Sequence, residues 1–385
     1  MSDRQNAEIT PFRPVVPDHE INDLRERLSR ARLPEPETAP GWAQGIPLDY
    51  LTELIRYWRD EYDWRRVEGE LASRGQSHTV VDGLGIHFLH IRSSQPDARP
   101  LLITHGWPGS VIETLDVIDA LTEPGDGEPA FHLVIPSLPG FGYSQKPAEA
   151  GWGIERIADA WIALMARLGY DRFLVQGGDW GAMVTITIAV RHPERVSMMH
   201  TTVPWAPRPG GFDDNTLTPT EKRWLEEYAE FGRSGRGYAL QQSTRPQTIG
   251  YALVDSPPAQ LAWIAEKFFE FSDSETNPEE AVSRDRILDD VSLYWFTRTG
   301  ASAARLYWES FRGLGMPDMN TTVTVPAAVT VFPRDLQKLP RSWVEERYRD
   351  LRYWSVAERG GHFPMLEVAD AFCAEIRAAF ANAPE

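Results

Sequence analysis

A single cysteine, Cys373, stands in 385 residues, so the chain cannot close a disulfide on itself. That suits a reducing compartment and leads to the expectation of a cytoplasmic protein. No uncharged apolar run approaches the length of about 18 residues that a membrane span needs, so none is expected. The opening residues, MSDRQNAEITPFRPVVPDHE, lack a basic segment followed by an apolar stretch, and no signal peptide is expected there. Positive charge is scarce: Lys+Arg 39 against Asp+Glu 56 gives 39 − 56 = −17. Such a surface repels phosphate backbones and anionic headgroups, which argues against nucleic-acid and membrane partners. Metal-ligand spacing is missing as well. His87 and His90 lie three apart in a β-rich run and so face opposite ways, and no other His, Cys and carboxylate cluster suggests a metal site. There is no glycine-rich phosphate loop, internal repeat or low-complexity segment. No cofactor and no metal are expected.

Aromatic residues, by contrast, are plentiful, with 14 Trp and 16 Phe. Most belong to a core, and some are expected to line a pocket for an apolar ligand. Residues 1–76 read as a helical meander with Pro-rich connections. Ile21, Leu24 and Leu28 share one helical face, and Leu51, Leu54, Ile55, Trp58 and Tyr62 share another. Each face needs something to cover. From Ser77 the rhythm changes to short apolar strands: His78–Val81 and Ile86–Ile91 around Asp82-Gly83, then Leu101–Thr104, Leu133–Pro136 and Phe173–Gln176. The helix marked by Ile157, Trp161, Leu164, Met165 and Leu168 lies among them. Alternation of this kind implies right-handed crossovers and a mostly parallel sheet. After Val196–Val203 it stops. Pro204 to Asp318 reads as helical and aromatic, and sheet rhythm resumes at Val323–Phe332 and Leu351–Ala357 before a closing helix, Glu367–Phe380. The expected architecture is α/β: a mostly parallel sheet in two parts, 77–203 and 321–385, interrupted by a helical cap at 204–320 and preceded by the meander.

The sharpest motif is Gly177-Gly178-Asp179-Trp180-Gly181-Ala182, between the strand Phe173–Gln176 and the helical run Met183–Val190. This is the strand–turn–helix setting of a nucleophile elbow, G-x-S-x-G, with aspartate in the serine position. The glycines let strand and helix backbones approach, and the turn thrusts the central side chain above the strand ends. The plainer alternative is that Asp179 only caps the helix. A carboxylate nucleophile differs from a serine in its target: it displaces a leaving group at saturated carbon and leaves an alkyl ester of the enzyme. That selects electrophilic sp³ carbon, chiefly epoxides and alkyl halides. His105-Gly106-Trp107-Pro108-Gly109-Ser110 follows Leu101–Thr104, where such folds complete an oxyanion hole. The backbone N–H groups of Trp107 and Trp180 are the expected donors. Pro108 cannot donate but can fix the loop through a cis Trp107–Pro108 bond. His105 ends a buried strand and is expected to be structural. The expected base is His362, in Gly360-Gly361-His362-Phe363-Pro364, after the last strand and before the last helix, as the order nucleophile, acid, His requires. Asp335, in Phe332-Pro333-Arg334-Asp335, is expected to orient it, with Asp350 as the competitor that only geometry can exclude. For Asp335 the plain alternative is a loop carboxylate paired with Arg334 or Lys338.

Five tyrosines fall between Pro204 and Asp318: Tyr228, Tyr238, Tyr251, Tyr294 and Tyr307. Residue physics does not choose among them, since any could be packed in a core with its hydroxyl satisfied nearby.

On these motifs the sequence resembles the microsomal-type epoxide hydrolases, over nearly the whole chain. The likeness takes in the extension with Gly41-Trp42 and Trp58, the His105–Ser110 loop, the Gly177–Ala182 elbow, the cap, and the Phe332–Asp335 and Gly360–Phe363 segments. Membrane-anchored members begin with an apolar helix that this sequence lacks, so it is similar to the soluble branch. The resemblance implies that an epoxide is the small-molecule substrate, and also implies a homodimer. It further implies two cap tyrosines that hold the epoxide oxygen. Gly237-Tyr238-Ala239-Leu240-Gln241, before Ser243-Thr244-Arg245-Pro246, matches the first segment, and Arg305-Leu306-Tyr307-Trp308-Glu309 the second. Their phenols are taken at an unperturbed pKa near 10. A haloalkane dehalogenase shares the aspartate elbow, and a non-catalytic scaffold binding an apolar ligand would share the fold. The tyrosine contexts argue against the former, the standing triad against the latter.

Overall fold

The computed structural model describes residues 8–125, 127–311 and 320–384. Among these residues nine strands form one sheet: β1 (Thr10–Pro11), β2 (Gln76–Val81), β3 (Leu84–Ile91), β4 (Arg99–Thr104), β5 (Phe131–Pro136), β6 (Phe173–Gly177), β7 (Val196–Thr201), β8 (Val323–Val331) and β9 (Tyr348–Val356). Their spatial order is β1-β2-β3-β5-β4-β6-β7-β8-β9. Pairing is antiparallel from β1 to β5 along that order and parallel from β5 to β9. The β2–β3 hairpin turns on Asp82 and Gly83, both at positive φ, the geometry a two-residue turn between right-twisted strands requires. The central parallel strands are buried on both faces, which is why Leu101–Ile103 and Leu133–Ile135 read as unbroken apolar runs. Helices Ile154–Arg167, Asp179–Arg191 and Ala369–Phe380 cover them.

Strand order decides where side chains can meet. Neighbouring β4 and β6 pair with Thr104 opposite Gly177, so the loops leaving their carboxyl ends lie side by side. Neighbouring β8 and β9 do the same for the segments that follow Val331 and Val356. Ligands of open α/β sheets bind in this crevice. Between β7 and β8 the chain leaves the sheet, and its described residues form six α-helices, Pro219–Ser234, Gly237–Thr244, Pro246–Asp255, Pro257–Glu270, Arg284–Thr297 and Gly300–Phe311, which roof the crevice. The end of the expected cap, 312–319, lies outside the described residues.

The N-terminal helices Asp18–Ser29, Leu48–Asp60 and Trp64–Ser73 bury the apolar faces read from the sequence, Ile21 only in part. Much of what they grip is the roof. Trp42 stacks on Phe269 at 4.0 Å, Trp58 Nε1 donates to Ser292 Oγ at 2.9 Å, and the Tyr62 hydroxyl donates to Asp289 Oδ1 at 2.7 Å.

Most strand ends lie within about two residues of the sequence reading, and three departures are larger or different in kind. The meander also supplies β1, two residues including a proline on the sheet edge, too short to show periodicity. The last strand begins at Tyr348, three residues early, because its outer face is only half covered and its alternation is blurred. The closing helix is broken: Pro364–Glu367 forms one turn, and the long helix starts at Ala369.

Candidate active site

The elbow forms because no larger residue fits its glycines. A Cβ on Gly181 would sit 1.8 Å from the Thr104 carbonyl oxygen, and one on Gly177 would sit 2.1 Å from that of Gly181. Between them Asp179 takes φ 48°, a left-handed conformation that non-glycine residues rarely hold unless packing dictates it. It opens the helix Asp179–Arg191, whose first-turn amides lack helical partners and whose dipole favours an anion there.

The Trp107 amide donates to Asp179 Oδ1 at 2.7 Å, and the Trp107–Pro108 bond is cis. Trp180 follows Asp179 in the first helical turn, which places its amide among those unpartnered donors. On the other oxygen, Asp179 Oδ2 lies 3.4 Å from His362 Nε2. His362 Nδ1 meets Asp335 Oδ1 at 2.9 Å, and Asp335 is 1% exposed. Geometry thus excludes Asp350, which lies on β9 and pairs with Arg352. Neither plain pairing of the Asp335 carboxylate occurs. Arg334 pairs with Asp273 and Glu275, while Lys338 donates to the Asp335 backbone carbonyl. Burial alone would lower the His362 pKa, but the charges of Asp335 and Asp179 outweigh it and hold the ring well above the ordinary histidine range. His105 is buried, with Nδ1 against the Gly106 carbonyl and Nε2 accepting from the Leu138 amide; burial pushes its pKa down to about 4.

Above this group lies a cavity of about 470 Å³, lined by Asp179, His362, Tyr238, Tyr307 and apolar residues such as Met183 and Phe311. Tyr307 is buried and Tyr238 half-buried, their ring centroids 6.0 Å apart. Tyr238 stacks on Trp107 at 5.0 Å, and Tyr307 meets Trp180 edge-on at 4.7 Å. Tyr251 is 70% exposed, and the Tyr294 hydroxyl donates to the Gly109 carbonyl, so neither faces the cavity. Tyr228 does line it but pairs with Arg236. The phenols are not unperturbed, which corrects the sequence reading. Burial first raises both above the usual tyrosine range; the Asp179 charge is the second cause for Tyr238, and Tyr238 then Asp179 for Tyr307. Both phenols are thus favoured in their neutral form beside the Asp179 carboxylate.

Two carboxyls here escaped the sequence reading. Glu367 accepts from the amides of Gly361, Phe363 and Asp273 at 2.9, 2.8 and 2.7 Å, clamping the His362 loop to the roof. Burial outweighs those donors and pushes its pKa up to about 7. Glu113 is buried beside the elbow, and its one signal was an acid within the apolar run Val111–Ile118. Among the described residues no cluster of three or more His, Cys, Asp or Glu is arranged to hold a metal, and no helix is long and apolar enough to cross a membrane.

Sheet order, elbow and roofed crevice define an α/β-hydrolase, and residues 99–243 match the model of the alpha/beta hydrolase fold. Residues 9–114 match that of the epoxide hydrolase N terminus. A Sus scrofa protein, "Epoxide hydrolase 1", is 33% identical over 408 residues, 97% of this chain and 88% of that one. A Stigmatella aurantiaca (strain DW4/3-1) sequence is 48% identical over 376 residues, 97% of this chain and 84% of that one. Among solved structures, the juvenile hormone epoxide hydrolase of the silkworm Bombyx mori superposes with a TM-score of 0.91 at 29% identity, covering 99% of this chain and 96% of that one. The Aspergillus niger epoxide hydrolase gives 0.88 at 31%, covering 98% and 97%. The chain belongs to the epoxide hydrolase family.

Proposed function

We propose that the chain converts an epoxide and water to a vicinal diol in two steps, through an ester on Asp179. The observation that carries this reading is the continuous line from the Trp107 amide through Asp179 and His362 to Asp335, with two phenols facing it across one cavity. Asp179 Oδ1, already bonded by Trp107, is the oxygen that becomes the ester carbonyl, and Oδ2 attacks the epoxide carbon. Tyr238 and Tyr307 hydrogen-bond the epoxide oxygen and protonate it as the ring opens. Esterification neutralises Asp179, so one of the charges raising the His362 pKa disappears and the imidazole is released to act as base. It takes a proton from water, which attacks the ester carbonyl. The resulting oxyanion falls on the amides of Trp107 and Trp180. The apolar lining favours a bulky or aryl epoxide, xenobiotic or biosynthetic. The division into meander, split core and cap, the cytoplasmic site and the homodimer belong to the same reading; size-exclusion with light scattering checks the last.

The test uncouples the steps. His362→Gln removes the base and keeps the nucleophile and both phenols, so it should consume about one equivalent of epoxide and stop. Intact mass should rise by the mass of the substrate, with the adduct on the peptide holding Asp179. Asp179→Ala should show neither adduct nor turnover. Direct attack of water on the epoxide predicts no adduct in either variant, and its absence from His362→Gln, with binding confirmed, overturns the ester mechanism.

A further inference from the structure

A second, small cavity adjoins the elbow. Of its lining residues only Asp179 and His362 also line the large one; the phenols do not reach it. Its volume is about 20 Å³, against the roughly 10–15 Å³ that one water needs. Its wall is polar. Thr104 Oγ1, Gln176 Oε1 and Thr202 Oγ1 are buried there with no hydrogen-bond partner in the protein, and His362 Nε2, 3.4 Å from Asp179 Oδ2, faces the same space. Folded proteins rarely leave buried polar atoms unpaired, and a polar pocket of this size suits a water making two to four hydrogen bonds.

Glu113 completes the wall. It lies on the short turn Val111–Thr114, is 6% exposed, and brings its carboxyl over Gly109, where an added Cβ would be 1.3 Å from Oε1. Burial first, then the charge of Asp290, push this carboxyl well above the usual range. Burial thus favours its neutral form, and in either form a carboxyl oxygen can accept from water.

We propose that this small cavity seats the water that hydrolyses the Asp179 ester, with Glu113 and Gln176 as its positioning residues. The proposal rests on the two-step reading above. The seated water gives one hydrogen to His362 Nε2 and the other to Gln176 Oε1 or the Glu113 carbonyl, leaving a lone pair for Cγ of Asp179. As the O–Cγ bond forms, the first proton passes to His362 and negative charge collects on Oδ1 against the Trp107 amide. The bond from Cγ to the alkyl oxygen then breaks, and the departing diol oxygen takes the proton back from His362. Asp179 keeps the oxygen of the water, and solvent must refill the seat each cycle. The two cavities thus divide the labour, epoxide in the large one and water in the small.

The test follows both steps in single turnovers, alkylation from the loss of epoxide and hydrolysis from the decay of the adduct mass. Glu113→Leu and Gln176→Leu should slow hydrolysis by about 10²-fold, as misplacing a reactant does, with alkylation within roughly 3-fold of the parent. Adduct should accumulate in both. Glu113→Gln keeps an acceptor and a donor and should restore most of the hydrolysis rate. Thr202→Val, a near-isosteric loss of one hydroxyl, gives a milder form of the same split if either leucine variant fails to fold. Folded variants in which both steps slow alike, or neither slows, overturn the assignment while leaving the two-step mechanism standing. Single turnover of the parent in H₂¹⁸O separates the two claims: label in the Asp179 peptide supports the ester, and label only in the diol removes it together with this proposal.

Discussion

On the sheet side of the large cavity, the proposed reacting groups hang from backbone that has little freedom to be elsewhere. Asp179 is held at positive φ between glycines that admit no Cβ, and His362 sits in a loop whose Gly361 presses on the Phe271 carbonyl. On the helical side tight glycines such as Gly250 and Gly300 join helix to helix, and neither phenol is itself held at positive φ. Tyr238 and Tyr307 lie on ordinary helices, Gly237–Thr244 and Gly300–Phe311, and rings place them: Trp107 and Phe271 against one, Trp180 and Phe311 against the other. A floor fixed by backbone geometry tolerates no change of size at its glycines. A roof fixed by packing tolerates removal of a hydroxyl with its shape intact. Removing a phenol hydroxyl from the roof should therefore cost activity with little stability, and filling a floor glycine should cost stability first.

The largest expected effect tests the roof. Tyr238→Phe and Tyr307→Phe should each slow alkylation of Asp179, and the double variant should fall furthest, within the 10²–10⁴-fold that positioned acids contribute, as stopped-flow on a chromogenic epoxide would record. A silent Tyr238→Phe beside a damaging Tyr251→Phe would sink the choice of tyrosine. The next effect tests the floor. Gly181→Ala drives a methyl against the Thr104 carbonyl, backbone that cannot step aside, and should cost about 3 kcal/mol in urea unfolding. Tyr307→Phe should cost less than about 1 kcal/mol by the same measurement. Similar losses for both would erase the distinction.

The same contrast explains what was legible in the sequence. Asp179, Trp107 and His362 could be read because their constraints are local, glycine spacing and order along the chain. Asp335 is chosen from its place after the strand ending at Phe332, but only the fold separates it from Asp350, through the adjacency of β8 and β9. Tyr238 and Tyr307 carry no local mark, and resemblance alone chose them; what fixes them is rings distant in sequence. Glu113 and Glu367 went unread because a carboxyl that serves amides or a cavity looks like any surface acid until its burial is known.

A third prediction concerns charge within the floor. His362 holds its proton more tightly folded than unfolded, because Asp335 and Asp179 outweigh the burial that opposes it. A raised histidine pKa stabilises the fold fully below the unfolded value of about 6.5, and this contribution is lost as pH rises through the folded value. The stability gap between the parent and His362→Gln should therefore be wider near about pH 6 than near about pH 9. Asp179→Asn, which mimics the neutral ester, should move the His362 titration downward in an NMR experiment. A His362 titration unchanged in that variant would remove the link between esterification and release of the base.

The smallest effect is expected where the roof is tied down, and it asks whether roof and floor are independent at all. Asp289, on the roof helix Arg284–Thr297, is fully buried and holds the Tyr62 hydroxyl at 2.7 Å, Arg66 at 2.5 Å and Arg286 at 3.3 Å. Tyr62→Phe removes one donor and leaves two guanidinium groups on the carboxylate, so the charge is not stranded. The cost should be about 1 kcal/mol, the net worth of one hydrogen bond. The same helix also grips the sheet side, through Ser110 on Asp290 and Tyr294 on the Gly109 carbonyl, and those bonds are untouched. A loosened N-terminal tie should thus blur the phenols without moving Asp179 or His362: alkylation slows by roughly 3-fold, since positioning is what it loses, while decay of the preformed ester keeps its rate. Pre-steady-state measurement of both steps on the one variant decides it. Equal slowing of the two would mean that the Arg284–Thr297 helix transmits the loss from roof to floor, and that the N-terminal segment positions the whole site.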